Sequence, residues 1–248
     1  MKNKKSLGQH WLKNRVILDE IADLAIKDSA KESCLEIGPG LGTLTSSLLK
    51  RFNKVIAVEF DEKLAHNLPQ SFPGKNLEVI NADILQFDLS LIQEPYVVVG
   101  NIPYYITSPI IEKVLTTKNL PLKIVLLIQK EVAERIASKK ETVLSLFVKN
   151  HANIQLGPVV SKDEFTPPPK VDSEIIVLTP KTAEVEDKVF NLIKTGFSSP
   201  RKKLISNLSG IKDKTTLLKV FKELNINPDA RPSDLTLKQW SILNQKLY

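Results

Sequence analysis

Five short apolar runs, at 33–37, 55–58, 77–80, 96–100 and 124–128, are interspersed with segments of helical periodicity. The first run is too short for a helix and stops at glycines, while Ile17, Ile21 and Leu24 before it fall on one helical face. Further helices are expected after Thr43, from Glu62 and from Ser108. Strands alternating with helices need right-handed crossovers, and those assemble a parallel sheet covered on both faces. The expected class is α/β.

Beyond Gln129 the pattern changes. Helices are expected over 131–137 and 142–150, followed by β-like runs at 154–160 and 174–178. Between those runs lies Phe165-Thr166-Pro167-Pro168-Pro169, whose consecutive prolines cannot donate to a ladder, so it reads as an ordered, extended loop. From Thr182 onward the pattern is helical only, and Thr236-Leu237-Lys238-Gln239 has the form of a capping box opening a last helix. A boundary at Thr179-Pro180-Lys181 divides the chain into a domain over 1–180 and a small all-helical domain over 181–248. At 248 residues the chain is long enough for a well-buried α/β domain plus such an appendage. A single cysteine, Cys34, excludes an internal disulfide framework and points to a reducing, cytoplasmic setting. Neither an apolar leader nor a membrane-length apolar stretch is expected.

The net charge of +7 is unevenly spread. Residues 1–15 carry five basic side chains, Lys4 and Lys5 among them, and no acidic one; residues 181–248 carry 13 basic against seven acidic. The middle is slightly acidic. Basic ends suit a polyanion, because each neutralised phosphate releases condensed counterions. They also suit a merely well-solvated surface.

Glu36-Ile37-Gly38-Pro39-Gly40-Leu41-Gly42-Thr43 leaves the first strand and opens a helix. Glycines at such a turn let a ligand approach the backbone. Their spacing, with Gly38, Gly40 and Gly42 at every second position, differs from the dinucleotide pattern. Glu59 ends the second strand, where an acid can accept from both ribose hydroxyls, and Asp83 follows the third, where it could accept from an adenine amine with Ile84 as apolar neighbour. Each acid alone also reads as a cap or turn residue. The ordered trio resembles a class I S-adenosyl-L-methionine (SAM)-dependent methyltransferase, which implies a Rossmann-like fold binding SAM at the strand ends. A nicotinamide enzyme ranks lower, since no hydride-transfer constellation is visible.

After the fourth strand comes Asn101-Ile102-Pro103-Tyr104. An adenine exocyclic amine is a poor nucleophile because its lone pair is delocalised. The Asn101 amide oxygen and the Ile102 carbonyl can each accept one N–H and so favour a pyramidal nitrogen, a stabilisation that grows toward the transition state. Pro103 fixes the loop, and Tyr104 can stack on the base. The plain alternative is a strand-to-helix turn with core tyrosines. A base must leave its stack to reach such a site, and Phe165 is the candidate for a second aromatic wall, or else an ordinary core residue.

Together with Ser6-Leu7-Gly8-Gln9-His10-Trp11-Leu12, Gln129-Lys130-Glu131-Val132-Ala133, and the cluster Arg201-Lys202-Lys203-Leu204, these motifs resemble the KsgA-type small-subunit ribosomal RNA adenine dimethyltransferase family along nearly the whole chain. Departures include Trp11, where Phe is usual, and a shorter 136–142 segment. The resemblance implies SAM-dependent dimethylation of two adjacent adenosines near the 3′ end of 16S rRNA in the assembling 30S subunit, without a metal, by a monomer. It further implies that His10 and Leu12 flank the cofactor, that Gly38 meets its methionine part, and that Lys4, Lys5, Arg201, Lys202 and Lys203 contact RNA. Two other readings stay open: a 23S rRNA methyltransferase of the macrolide-resistance type, and an assembly factor making little use of SAM.

Overall fold

A computed structural model describes residues 9–27, 33–92 and 95–248. Lys4 and Lys5 lie outside the described residues, as does Ser6-Leu7-Gly8. The chain divides into two compact units.

The first unit comprises residues through Ala133 together with Asn153–Pro180. In chain order its elements are β1 (Trp11–Leu12), α1 (Arg15–Ile26), β2 (Ser33–Ile37), α2 (Thr43–Leu48), β3 (Lys54–Glu59), α3 (Glu62–Asn67), β4 (Leu77–Asn81), β5 (Tyr96–Asn101), α4 (Thr107–Thr116) and β6 (Lys123–Gln129). α5 (Lys130–Ala137) then leads out of this unit to α6 (Val143–His151) of the second, and the first unit resumes with β7 (Ala152–Val160), β8 (Phe165–Thr166) and β9 (Ser173–Pro180). Seven strands form one sheet in the order β4-β3-β2-β5-β6-β9-β7. The five expected strands pair in parallel, whereas β9 runs antiparallel to β6, so the sheet is mixed rather than wholly parallel. Between β6 and β9 the chain passes through α5, α6 and β7, and β9 then inserts between β6 and β7, running opposite to β6. Val97, Val98 and Val99 are all fully buried, which is why the central strands read as continuous apolar runs instead of alternating ones. Alternate strand residues, Val97 and Val99 with Val125 and Leu127, pack against Leu18, Ile21 and Ala22 of α1.

The strand order reverses between β3-β2 and β5-β6, leaving a crevice at the carboxyl ends of β2 and β5. A two-stranded antiparallel ladder adds a piece that the periodicity did not indicate: Trp11 pairs with Thr166 and Leu12 with Phe165. The segment expected as an extended loop therefore begins as a strand.

The second unit comprises Glu134–Ala152 and Lys181–Tyr248. Its helices are α6 with α7 (Val189–Gly196), α8 (Leu204–Leu208), α9 (Lys214–Glu223) and α10 (Leu237–Leu247). The helical unit thus takes in residues 134–152 as well as those after 180. Leu146 of α6 joins a core with Phe190, Leu204, Phe221 and Trp240, and the Phe147 ring meets that of Phe190 edge-on at 5.6 Å. Asn150 adds polar ties, its Oδ1 accepting from the backbone N–H groups of Glu184 and Val185, both at 2.9 Å. Thr236 and Gln239 form the expected capping box on α10. Among the described residues no helix is long and apolar enough to cross a membrane.

Candidate active site

The crevice at the strand ends holds a cavity of about 230 Å³ bordered by residues of the first unit. Gly38, Gly40 and Gly42 have φ of 66°, 57° and 79°, a left-handed backbone that side chains with a Cβ adopt only with strain. They serve three different ends. A Cβ on Gly38 would meet nothing within 4 Å, so its backbone faces open space; one on Gly40 would sit 3.2 Å from the Trp11 indole nitrogen; one on Gly42 would lie 2.7 Å from Leu68 Cδ1. Gly38 and Gly40 border the cavity, whereas Gly42 is packed against Leu68 and Phe72 and caps α2. The assignment of Gly42 to the ligand is corrected accordingly: its role is to let the loop close onto the helix.

Glu59, at the tip of β3, is 6% exposed. Its Oε2 accepts from the Gly40 N–H at 3.0 Å and its Oε1 from the Asp61 N–H at 2.8 Å. Burial raises its pKa, and those two backbone donors oppose the shift. Each oxygen keeps a lone pair for a hydroxyl. Asp83, one strand further out, uses Oδ1 to accept from the Leu85 N–H at 2.9 Å. Its Oδ2 has no partner among the described residues. Ile84 borders the cavity beside it. Neighbouring strands lie about 4.8 Å apart, so from Asp83 beyond β4 to Asn101 at the end of β5 the crevice spans about 14 Å.

Glu36, one residue before the β2 terminus, is a site residue to which the sequence pattern assigned no role. Its side chain is 1% exposed yet borders the cavity. Thr45 Oγ1 donates to Oε2 at 2.6 Å, and Oε1 is buried with no hydrogen-bond partner. Burial pushes the carboxyl up to about 8. In its ionised form a carboxyl so placed calls for a cationic or donor group from a ligand. The available signal was an acid inside the apolar run Cys34-Leu35-Glu36-Ile37.

Asn101 closes the acceptor side. Its Nδ2 donates to the His10 carbonyl at 3.0 Å, which fixes the amide orientation and leaves Oδ1 without a partner among the described residues. His10 itself is held: its Nδ1 lies 2.8 Å from the Pro167 carbonyl, which only accepts, so Nδ1 carries the proton. The His10 and Tyr104 rings lie 6.1 Å apart and 20° from parallel, and the Tyr104 hydroxyl is 2.7 Å from Ser173 Oγ. Burial raises the Tyr104 pKa, so the phenol stays neutral. Ile102 and Pro103 also border the cavity.

Two expected site residues lie elsewhere. Leu12 is 1% exposed and Phe165 3% exposed, both in the core of the first unit and neither on the cavity wall. They face each other across the β1–β8 ladder, and burial of that pair seals it. Trp11 and His10, not Leu12, line the cavity from this segment, and Phe165 is not a wall of it. In the second unit Arg201 and Lys202 are exposed, with no ionic partner among the described residues, while Lys203 pairs with Asp229 at 2.5 Å.

The arrangement offers an apolar crevice with a buried carboxylate, a second carboxylate suited to a diol, a third with a free acceptor, and an oriented amide oxygen. Comparison with known proteins gives it a context. The sequence matches the family described as Ribosomal RNA adenine dimethylase over residues 1–246. It is 40% identical, over 96% of this chain and 95% of the other, to Ribosomal RNA small subunit methyltransferase A of Nostoc sp.. Among solved structures, a dimethyladenosine transferase from Plasmodium falciparum is 29% identical with a TM-score of 0.81, over 96% of this chain and 98% of that one. The 23S rRNA methyltransferase ErmE is 26% identical with a TM-score of 0.74, over 96% and 99%. On the whole-chain match and the identity to full-length relatives, this chain belongs to the ribosomal RNA adenine dimethylase family.

Proposed function

We propose that this protein transfers methyl groups from SAM to the exocyclic amines of two adjacent adenosines near the 3′ end of 16S rRNA, acting in the cytoplasm as a monomer on assembling 30S particles. One observation carries the reading: the Asn101 amide, turned by the His10 carbonyl so that its oxygen is the free acceptor at the cavity. The donor set fits the cofactor. Glu36 Oε1, buried and unpartnered, suits an ammonium; Glu59 suits ribose hydroxyls; Asp83 Oδ2 suits an adenine amine, with Ile84 against the ring. When bound, SAM supplies an electrophilic methyl group on a sulfonium.

The chain's own residues do the rest. Asn101 Oδ1 accepts one N–H of the target amine, and the carbonyl of Ile102, a residue that borders the cavity, accepts the other. Tyr104 gives the base a ring to lie against, its hydroxyl tied to Ser173 so that the ring holds its plane. No strong base is needed, because the amine becomes acidic only as its new N–C bond forms; catalysis is then mainly orientation. The exposed Arg201 and Lys202 suit RNA phosphates. The relatives named as small subunit methyltransferases favour the small-subunit substrate over the large. Incubation with SAM and undermethylated 30S particles, followed by mapping of modified nucleotides, tests the proposal. Dimethyladenosine at two adjacent positions near the 16S 3′ end is expected; modification only in 23S rRNA, or none with folded protein, would reject it.

A further inference from the structure

The exposed aromatic side chains among the described residues are Phe60, Tyr105 and the C-terminal Tyr248. Phe60 and Tyr105, 62% and 63% exposed, both border the cavity at the strand ends. They follow strands on either side of β2. Phe60 follows Glu59 at the tip of β3, on the side of the carboxylates, whereas Tyr105 lies in the loop after β5, four residues past Asn101 and next to Tyr104. A short 3-10 turn over Tyr104–Ile106 fixes both tyrosines, with the Ile106 N–H donating to the Pro103 carbonyl at 3.2 Å. Yet their surroundings differ. Tyr104 is partly buried and tied through its hydroxyl to Ser173, while Tyr105 makes no hydrogen bond among the described residues and leaves its ring to water.

An aromatic ring fixed by a rigid turn at the mouth of a cavity, and left uncovered, is a stacking face without an occupant. The proposed reaction supplies one. Extruding a nucleotide from its strand deprives the adjacent base of its stacking partner, at a cost of about a few kcal/mol. Phe165, which the sequence offered as a second aromatic, is in the core and cannot take up that base. We infer that Tyr105 is the platform on which the base next to the extruded adenosine stacks, standing in for the extruded neighbour. This rests on the assignment of adjacent adenosines as substrate, so the stacked base is the second adenosine of the pair while the first is in the site. Tyr105 would then hold the RNA in place between the two rounds and bias the enzyme toward a purine neighbour.

A short RNA carrying 2-aminopurine beside the target adenosine reports the stacking directly, because its fluorescence is quenched when it lies on an aromatic ring. With the full-length protein and S-adenosylhomocysteine present, quenching is expected for the wild type and for Tyr105→Phe, and none for Tyr105→Leu or Tyr105→Ala. Removal of one base–aromatic stack also raises the KM for RNA by about five- to 150-fold, with kcat and SAM affinity unchanged. Equal quenching across all four proteins, or none with the wild type, would overturn the inference. Should the alanine variant not fold, the leucine variant keeps the bulk without the ring. Failure of the wild type to methylate undermethylated 30S particles would instead count against the functional reading, since the fluorescence signal needs no turnover.

Discussion

Replacing Glu36 by Gln should uncouple cofactor binding from pH. In the free protein burial holds this carboxyl near 8, with Oε1 buried and unpartnered on a residue that borders the cavity. At pH 7 a group titrating there is about 90% protonated. A ligand ammonium placed against Oε1 favours the ionised form, so each molecule bound at pH 7 expels about 0.9 proton. The sign follows from the direction of the shift: the free site grips its proton up to pH 8, so affinity climbs with pH below that value and flattens above it. If the complex stays ionised throughout, the association constant rises about 50-fold between pH 6 and pH 8. Calorimetry in two buffers of different ionisation enthalpy reads the proton count. S-adenosylhomocysteine, which keeps the ammonium, should behave as SAM does, and methylthioadenosine, which lacks it, should release no proton. Glu36→Gln should abolish the release and the slope together. The same shift predicts that the free wild-type protein loses stability as pH rises from 4.5 through 8, because its native state keeps a proton that the unfolded chain gives up. Equal heats in both buffers for wild-type protein, with pH-independent affinity, would rule out ionisation of Glu36 on binding.

Three further outcomes are expected. On the role proposed for it, Asn101→Ala removes an acceptor used mainly in the transition state, so methylation should fall by at least about 100-fold while 30S binding is retained; parallel loss of both in binding and activity assays would contradict the role. Gly42→Ala forces a Cβ into a left-handed position 2.7 Å from Leu68 Cδ1, which should destabilise the first unit by about 1–3 kcal/mol in urea titrations. Alanine at Arg201, Lys202 and Lys203 should weaken RNA binding and lower its salt slope by about 0.9 for each phosphate no longer neutralised. Lys203, already paired with Asp229, should contribute least to that change, and an unaltered slope would remove the cluster from the interface.

Much of the fold was legible because the central strands are buried on both faces: a run such as Val97-Val98-Val99 admits few other readings. What escaped was whatever depends on partners distant in sequence. The Trp11–Leu12 strand is two residues long and exists only because Thr166 and Phe165 come opposite it, so no local period announces it. Helix α6 looks the same from the sequence whichever core receives Leu146, and only packing against Phe190 and Phe221 assigns it to the helical unit. The same limit applied in the site. Glu59, Asp83 and Asn101 were readable because each ends or follows a strand and so must face the crevice. Leu12 and Phe165 sit in motif-like surroundings but carry the most apolar side chains of those segments, and burial took them. Glu36 stands out in the sequence only as an acid inside an apolar run, and that its Oε1 lacks a partner shows only in the packed structure.

That burial of Leu12 and Phe165 matters to the chemistry nonetheless. A side-chain amide can present either its oxygen or its nitrogen to a substrate, and the wrong face of Asn101 would offer donors to an amine that needs acceptors. The His10 carbonyl decides the matter by accepting from Nδ2, since a turned amide would set oxygen against oxygen there. His10 is in turn set by the ladder: its backbone enters β1, its ring is tied to Pro167, and Asn14 beyond the strand donates to Glu164 at 2.9 Å. The orientation of the Asn101 amide thus depends on hydrogen bonds between residues about 150 positions apart, sealed by the apolar pair at the ladder's centre. Catalysis by positioning, as proposed, requires a site held from the core outward, and here the core residues that the motifs suggested as ligand contacts hold it instead.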